Sequence, residues 1–313
     1  MILTVTTNAS LDRLLFIPEF VATSNMRVQK NLDAVGGKGF DTSVALSCIG
    51  VETTALGFIA GRTGEQLVEL LNGYGIQSDL LWVEGETRIA HVVIETAHHR
   101  HSHITSTGYS VSTADLDRFV DRYCSHLDAA RWAIISGSLP PGAPADFYGR
   151  LVMLAKQKGV STIVDCADEP SRQAASQRPT ILKMNRAELA QSYGVTADNL
   201  PELNQRVRKL AEQNSLANVV ITCGAEGILA VTEAGSHLAT TPPQQEVSAA
   251  GAGDAVSGCL AWRLGQGDDW PSALRWAAAT GAAVVLCERT AECRREDVDA
   301  IYPQVTVTSL EST

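Results

Sequence analysis

Residues 132–165 read WAIISGSLPPGAPADFYGRLVMLAKQKGVSTIVD. Trp132–Ser136 is an unbroken apolar run closed by a small polar residue, the pattern of a strand buried on both faces. Pro140, Pro141 and Gly142 turn the chain, a helical pattern follows near 145–158, and 162–165 begins a second β-branched run. This is a strand–loop–helix–strand unit. The same rhythm extends in both directions. Strands are expected at 2–6, 53–59, 181–183 and 219–222. Helices are expected at 38–49 and 64–72, stopped by Gly50 and Gly73, and at 187–193, 252–264 and 271–286. A hairpin fits 227–240 across Glu233-Ala234-Gly235. Strands alternating with helices predict an α/β fold with a mostly parallel sheet covered on both faces, and ligands beyond the carboxyl ends of its strands.

Two stretches break the rhythm. Segments 13–35 and 88–105 alternate apolar and polar residues with little helical periodicity, and are expected to form a small separate sheet placed to act as a lid. The chain then divides into a core of 1–12, 36–84 and 106–313 and a lid of 13–35 and 85–105. No internal repeat or low-complexity tract appears.

Composition narrows the function classes. The 313 residues carry a formal net charge of -10, with 45% hydrophobic and 19% charged residues, enough apolar mass for a large core. No basic patch or tail marks a nucleic-acid or anionic-membrane partner. Seven scattered cysteines without a CxxC pair argue against a disulfide framework or a zinc site. MILTVTTNAS at the start has neither a basic nor an apolar export segment, and 277–287 is too short to span a bilayer, so a cytoplasmic location is expected.

The strongest chemical signal is 248–258, SAAGAGDAVSG, directly before a helical pattern. Glycines free the backbone to aim amides at a ligand, and the helix end adds partial positive charge. Asp254 in that field is a candidate base for a hydroxyl proton. The plainer account is a glycine turn with an acidic first helical turn. Gly36-Gly37-Lys38-Gly39 opens another helix and invites the same reading, against that of a simple loop. Ser136–Gly142 follows a buried strand where an α/β sheet holds ligands, though proline and glycine also suit a rigid turn. Asn185 and Glu188 share a helix face, fit for Mg²⁺ through water or for a capping box, and both can hold. Thr222-Cys-Gly224-Ala-Glu-Gly227 is a polar loop fit for a nucleotide, or ordinary turn chemistry. Arg27 and Arg88 in the lid segments suit phosphate. The histidines 98, 99, 101 and 103 are expected in an exposed lid turn rather than on a metal. A P-loop, a dinucleotide fingerprint and a nucleophile elbow are all missing, which disfavours a nucleotide-dependent oxidoreductase.

In this order the motifs resemble the ribokinase-like sugar kinases, the phosphofructokinase-B family. The resemblance runs through Asn8–Asp12, Gly36–Gly39, Thr87-Arg88, Ser136–Gly142, Lys183–Glu188, Thr222–Gly227 and Gly251–Asp254. It is strongest to the branch acting on phosphorylated ketohexoses, the 1-phosphofructokinases and tagatose-6-phosphate kinases. The resemblance implies a Rossmann-like three-layer α/β/α core, a β-sheet lid that joins two copies into a homodimer, and ATP with Mg²⁺. It implies Asp254 as catalytic base, with the amides of Gly251, Ala252, Gly253 and Asp254 as an anion hole. It places Asp12, Arg27, Gly36, Gly37, Lys38, Asp41, Arg88 and Ser138 at the sugar. It places Lys183, Asn185, Glu188, Thr222, Gly224, Gly227 and Gly253 at the nucleotide, with Asn185 and Glu188 serving the metal.

Departures cluster at the sugar. Asp41 and Ala90 stand where the family usually has asparagine. The segment 103–108 replaces an acidic and Pro-Gly stretch. Met184, Ala250 and Ala255 also depart from common choices. An unphosphorylated sugar or polyol therefore stays open as acceptor, as does a non-catalytic sugar- or nucleotide-sensing role.

Overall fold

The structure is a computed structural model that describes residues 1–98 and 100–310. The chain begins β1 (Ile2–Thr6), β2 (Ser10–Ile17), β3 (Lys30–Gly36), α1 (Lys38–Cys48), β4 (Thr53–Ile59), α2 (Gly61–Gly73), β5 (Gln77–Trp82), β6 (Arg88–Glu95) and β7 (Arg100–Ile104). It continues through α3 (Thr113–Leu127), β8 (Trp132–Ser136), α4 (Phe147–Gln157), β9 (Ser161–Asp165), α5 (Asp168–Ser176), β10 (Ile181–Asn185), α6 (Arg186–Tyr193), α7 (Leu200–Asn214) and β11 (Asn218–Thr222). It closes with β12 (Ile228–Thr232), β13 (Gly235–Thr240), α8 (Ala252–Gly265), α9 (Trp270–Val284), α10 (Arg295–Ile301) and β14 (Thr306–Leu310).

The main sheet has the order β14-β13-β12-β11-β10-β9-β8-β1-β4-β5. Every pair from β11 to β5 is parallel, and the β11–β14 end is antiparallel. The hairpin turns where expected, with Thr232 opposite Gly235. Successive residues of one strand serve opposite cores. Ile134 packs with Phe40, Leu260 and Leu274 on the face of α1, α8 and α9, while Ile135 packs with Phe119, Phe147 and Leu151 on the face of α3 and α4. Both faces are therefore covered, which is the three-layer α/β/α arrangement. Each fully buried phenylalanine of this kind contributes about 2–3 kcal/mol. Strands β5 and β14 and helices α3, α5, α7 and α10 were not expected from the sequence; in the four helices the apolar residues are spaced among charges, and β14 is short and half exposed. Helix α3 shows how little was missing: Ser112 and Asp115 form a complete capping box.

The second sheet has the order β3-β2-β6-β7, with β2 parallel to β6. Leu14, Phe16, Ala34, Val92 and Ile94 form its own small core. Its register sets Ser10 beside Arg88 and Asp12 beside Ala90. Strand β2 starts at Ser10 and β3 runs to Gly36, so the sheet extends past the expected limits at both strands, with Ser10 and Asp12 of β2 and Ala34–Gly36 of β3 buried and Lys30 and Asn31 exposed. His101 and His103 lie in β7 with rings 5.6 Å apart, His98 lies in the preceding turn, and His99 falls outside the described residues. Among the described residues no cluster of histidine, cysteine and acidic side chains is arranged to hold a metal ion, and no helix is long and apolar enough to cross a membrane.

Candidate active site

Helix α8 opens at Gly251, whose φ of +83° favours glycine. A Cβ there would stand 2.4 Å from the backbone nitrogen of Ala291, so close packing demands glycine as well. Ala252 N donates to Ala249 O at 3.3 Å and Asp254 N to Gly251 O at 3.1 Å. The amides of Gly251 and Gly253 have no protein acceptor among the described residues and remain available to an anion. Of the four amides expected in an anion hole, two are thus already engaged.

Asp254 sits in the first turn of α8, only 8% exposed. Burial, then the charge of Asp165, raise its carboxyl to about 7, against the pull of Lys38 and Lys183. A carboxyl poised near neutrality is matched to taking a proton from a hydroxyl.

The second loop is set by contact. A Cβ on Gly36 would fall 2.0 Å from Asp12 Oδ1, and one on Gly39 2.4 Å from the carbonyl of Val5, so α1 lies hard against β1. Lys38 spans the site, with Nζ 2.7 Å from Asp165 Oδ1 and 2.6 Å from Glu188 Oε1. Lys183 Nζ reaches Asp165 Oδ2 at 2.6 Å, and Ser257 Oγ donates to the same oxygen at 3.1 Å. Burial alone would raise the Asp165 carboxyl, but Lys183 and Lys38 outweigh it and hold the group at about 2. Burial likewise opposes the charge on Lys38, and Asp165, Glu188 and Asp254 more than restore it.

Asp165 was read from sequence only as a strand end. Its position at the carboxyl end of β9 was the available signal. Lys183, expected at the nucleotide, is 2% exposed and lies under Gly253 rather than in a cavity wall. Asn185 and Glu188 do form a capping box, with both cross-bonds at 2.8 Å. Glu188 therefore caps α6 with one oxygen and holds Lys38 with the other.

Two cavities flank the α8 opening. The first, of about 320 Å³, is walled by Asp12, Gly37, Lys38, Asp41, Arg88, Ser138, Gly251 and Asp254. Asn8, His103, Thr105 and Thr290 also line it and were not foreseen as site residues. Burial raises Asp12 to about 6, held back by hydrogen bonds from Ser10 at 3.0 Å and Thr290 at 3.2 Å. Arg88 donates to the Asn8 carbonyl at 3.1 Å, while its buried Nε has no partner in the protein. Burial lowers its pKa, and Asp12 opposes that. Asn8 in turn donates to Ser138 Oγ at 3.1 Å. Arg27 lies in the exposed loop between β2 and β3 and lines neither cavity.

The second cavity, of about 420 Å³, is walled by Asn185, Thr222, Gly224, Gly227, Ala252 and Gly253. Pro242, Glu246, Gly281 and Val285 are among the other residues that line it; no sequence signal pointed to them. Gly227 has φ +105° and passes so close to Ala239 that a Cβ would lie 2.2 Å from its carbonyl oxygen. A wider cleft of about 840 Å³ between lid and core lies behind Arg88 and includes no residue of the α8 opening. Size alone does not mark the chemistry.

The model of the pfkB family carbohydrate kinases matches residues 6–297. The 1-phosphofructokinase of Bacillus subtilis is 28% identical over 310 residues, covering 99% of this chain and 100% of that protein. The tagatose-6-phosphate kinase of Staphylococcus epidermidis is 28% identical over 312 residues, 98% and 99% of the two chains. Among solved structures, one described as a possible 1-phosphofructokinase from Thermotoga maritima superposes with a TM-score of 0.89 at 28% identity, covering 99% of this chain and 100% of that one. The family match takes in both glycine loops, the Asp165 network and both cavities, and the chain belongs to the pfkB family of carbohydrate kinases.

Proposed function

We propose that this ATP-dependent carbohydrate kinase phosphorylates a ketohexose phosphate, of the fructose 1-phosphate or tagatose 6-phosphate kind. One observation carries the reading. Residues 249–254 form a shared wall, with Gly251 and Asp254 facing the first cavity and Ala252 and Gly253 facing the second. An acceptor in the first and a triphosphate in the second meet across the free amides of the helix opening.

Asp254 takes the proton of the acceptor hydroxyl, and that oxygen bonds to the γ-phosphorus as the bond to the ADP oxygen breaks. Charge growing on the transferred group is met by the amides of Gly251 and Gly253 and the positive end of α8. Lys38 and Lys183, charged and fixed by Asp165, add to that field. Arg88 and Ser138, with Asn8 behind them, suit the acceptor's own phosphate, because Arg88 brings a guanidinium to the cavity wall beside the Ser138 hydroxyl.

The donor set at Asn185 and Glu188 fits Mg²⁺ held through water: both Glu188 oxygens already have protein partners, so direct ligation would break the cap or the Lys38 pair. Bound there, Mg²⁺ would neutralise phosphate charge. Lid-to-lid pairing of two copies is supported by Phe20, Val21, Val28 and Ile104, which are 45–55% exposed in and around the lid.

A second reading has its own observation. Asp12, Asp41 and Asp254 all line the acceptor cavity, and three acids favour an uncharged sugar. ADP release across ketose phosphates, aldoses, ketoses and polyols decides. Turnover confined to phosphorylated ketoses supports the first reading, turnover confined to neutral sugars the second, and no ADP with any acceptor defeats both.

A further inference from the structure

Asp41 is an acid without a place for its charge. It is 5% exposed in the first turn of α1, and its Oδ1 is sealed from water with no donor in reach among the described residues. The other two acids of the cavity are better provided. Asp12 accepts hydroxyl hydrogens on both oxygens, and Asp254, like Asp41 in a first helical turn, has the field of both Lys38 and Lys183 where Asp41 has Lys38 alone. Two buried carboxyls in the wall of one cavity cannot both ionise cheaply. The environment decides which one does, and here it favours Asp254.

We propose that Asp41 works as a neutral carboxylic acid whose proton sits on Oδ2, the oxygen not sealed in the protein, and is donated to an acceptor-sugar oxygen beside the hydroxyl that Asp254 deprotonates. A neutral carboxyl offers one donor and one acceptor on the outline of an amide. Asp12 and the ionised Asp254 can only accept, so the cavity gains a donor that reads a polyhydroxylated ligand and avoids a second negative charge beside the transferring phosphoryl. The inference rests on the reading of this cavity as the acceptor site and of Asp254 as base.

The surrounding groups agree. Burial, then the charges of Asp254 on α8 and Asp12 on β2, push the Asp41 carboxyl well above its usual range; the Gly37 amide and Lys38 only partly offset them. Arg88 on β6 and His103 on β7 line the same cavity. Strands β1, β4 and β8 contain no ionisable side chain, and the charged residues of β3 are paired elsewhere, Asp33 with Arg13 and Lys30 with Glu288. Lys38 is held charged far above neutrality and does not supply an alkaline titration.

The test is carboxyl ¹³C NMR of the full chain labelled at aspartate, with the Asp41 signal assigned by its loss in Asp41→Asn. The expected result is a protonated Asp41 at neutral pH, with Asp254 ionising first. An Asp41 already ionised at pH 7 overturns the proposal. The kinetic counterpart is the pH profile of kcat/KM for the acceptor. The parent should rise as Asp254 ionises and fall again as Asp41 loses its proton. Asp41→Asn should remove the alkaline fall, and Asp41→Ala should raise the acceptor KM by roughly 10-fold with the ATP KM unmoved. An alkaline fall that persists in Asp41→Asn overturns it too. Full turnover in Asp254→Asn would instead strike the functional reading, whereas the NMR result judges Asp41 alone.

Discussion

Lys183 lies directly beneath Gly253: a Cβ added to that glycine would stand 3.0 Å from the lysine Nζ. The opening of α8 is thus floored by an ammonium that is itself fixed by Asp165 at 2.6 Å. The amide end of the helix and a buried cation act on the same small volume, where screening by water is weak. This explains why an aspartate can be buried here and still be ionised for part of the time near neutral pH.

Asp254→Asn keeps the shape and removes the proposed base. Steady-state kinetics should show kcat lowered by roughly 10²–10⁴-fold, with nucleotide affinity by calorimetry changed little. In the parent, the raised carboxyl is protonated and idle below about 7, so kcat/KM should climb as pH rises through about 7. Near-normal turnover in the variant, or a flat profile from pH 5 to 8, would remove Asp254 from the role of base.

Asp165→Asn leaves Lys183 buried without its counter-charge and leaves Lys38 paired with Glu188 alone. Removal of one member of such a pair costs on the order of 3–5 kcal/mol, read as a lower midpoint in denaturant melts. The pH dependence has a definite sign. The carboxyl is depressed from 3.8 to about 2, so its contribution is full above 3.8 and drains away as pH falls through about 2. The acid limb of the stability curve below pH 4 should therefore be shallower in the variant.

Gly251→Ala meets two obstacles at once, a φ of +83° and a 2.4 Å approach to the Ala291 backbone. The first alone costs on the order of 1 kcal/mol, and the second forces the turn that opens α8 to move. A lowered melting temperature together with a kcat reduced by at least roughly 10-fold is expected. Full activity with unchanged stability would show that the turn tolerates a shift.

Arg88→Leu empties the cavity proposed for the acceptor of its guanidinium. If Arg88 holds an acceptor phosphate, KM for a phosphorylated ketose should rise by roughly 10²-fold or more while KM for ATP stays near the parent value. A KM for the phosphorylated acceptor that does not move would separate Arg88 from phosphate recognition.

Ile104→Glu places a charge on the exposed lid strand β7, where Ile104 is 55% exposed. Pairing through the lid predicts a shift toward monomer in sedimentation velocity, with the circular dichroism melt unchanged. A parent that is already monomeric at micromolar concentration would contradict that pairing.

Much of this was legible in the order of residues. Runs such as Trp132–Ser136 can only be satisfied by burial on both faces, so periodicity gave most of the parallel sheet and the covering helices α1, α2, α4, α6, α8 and α9. Glycines at 36, 37, 251 and 253 signalled places where backbone must approach something closely, and the structure gives the reason at each. What periodicity could not give was partnership. The union of Lys38, Asp165, Lys183 and Glu188 joins residues 150 positions apart, and Thr290 meets Asp12 across 278.

The sequence by itself determined the secondary structure that makes two glycine-opened helices, because local dihedral preference and apolar spacing are properties of neighbours in the chain. Only the tertiary structure decided which charges survive burial. A carboxyl's ionisation depends on the groups that converge on it from distant strands, which is why Asp165 is held far below its ordinary range while Asp41, in the same site, is driven far above it.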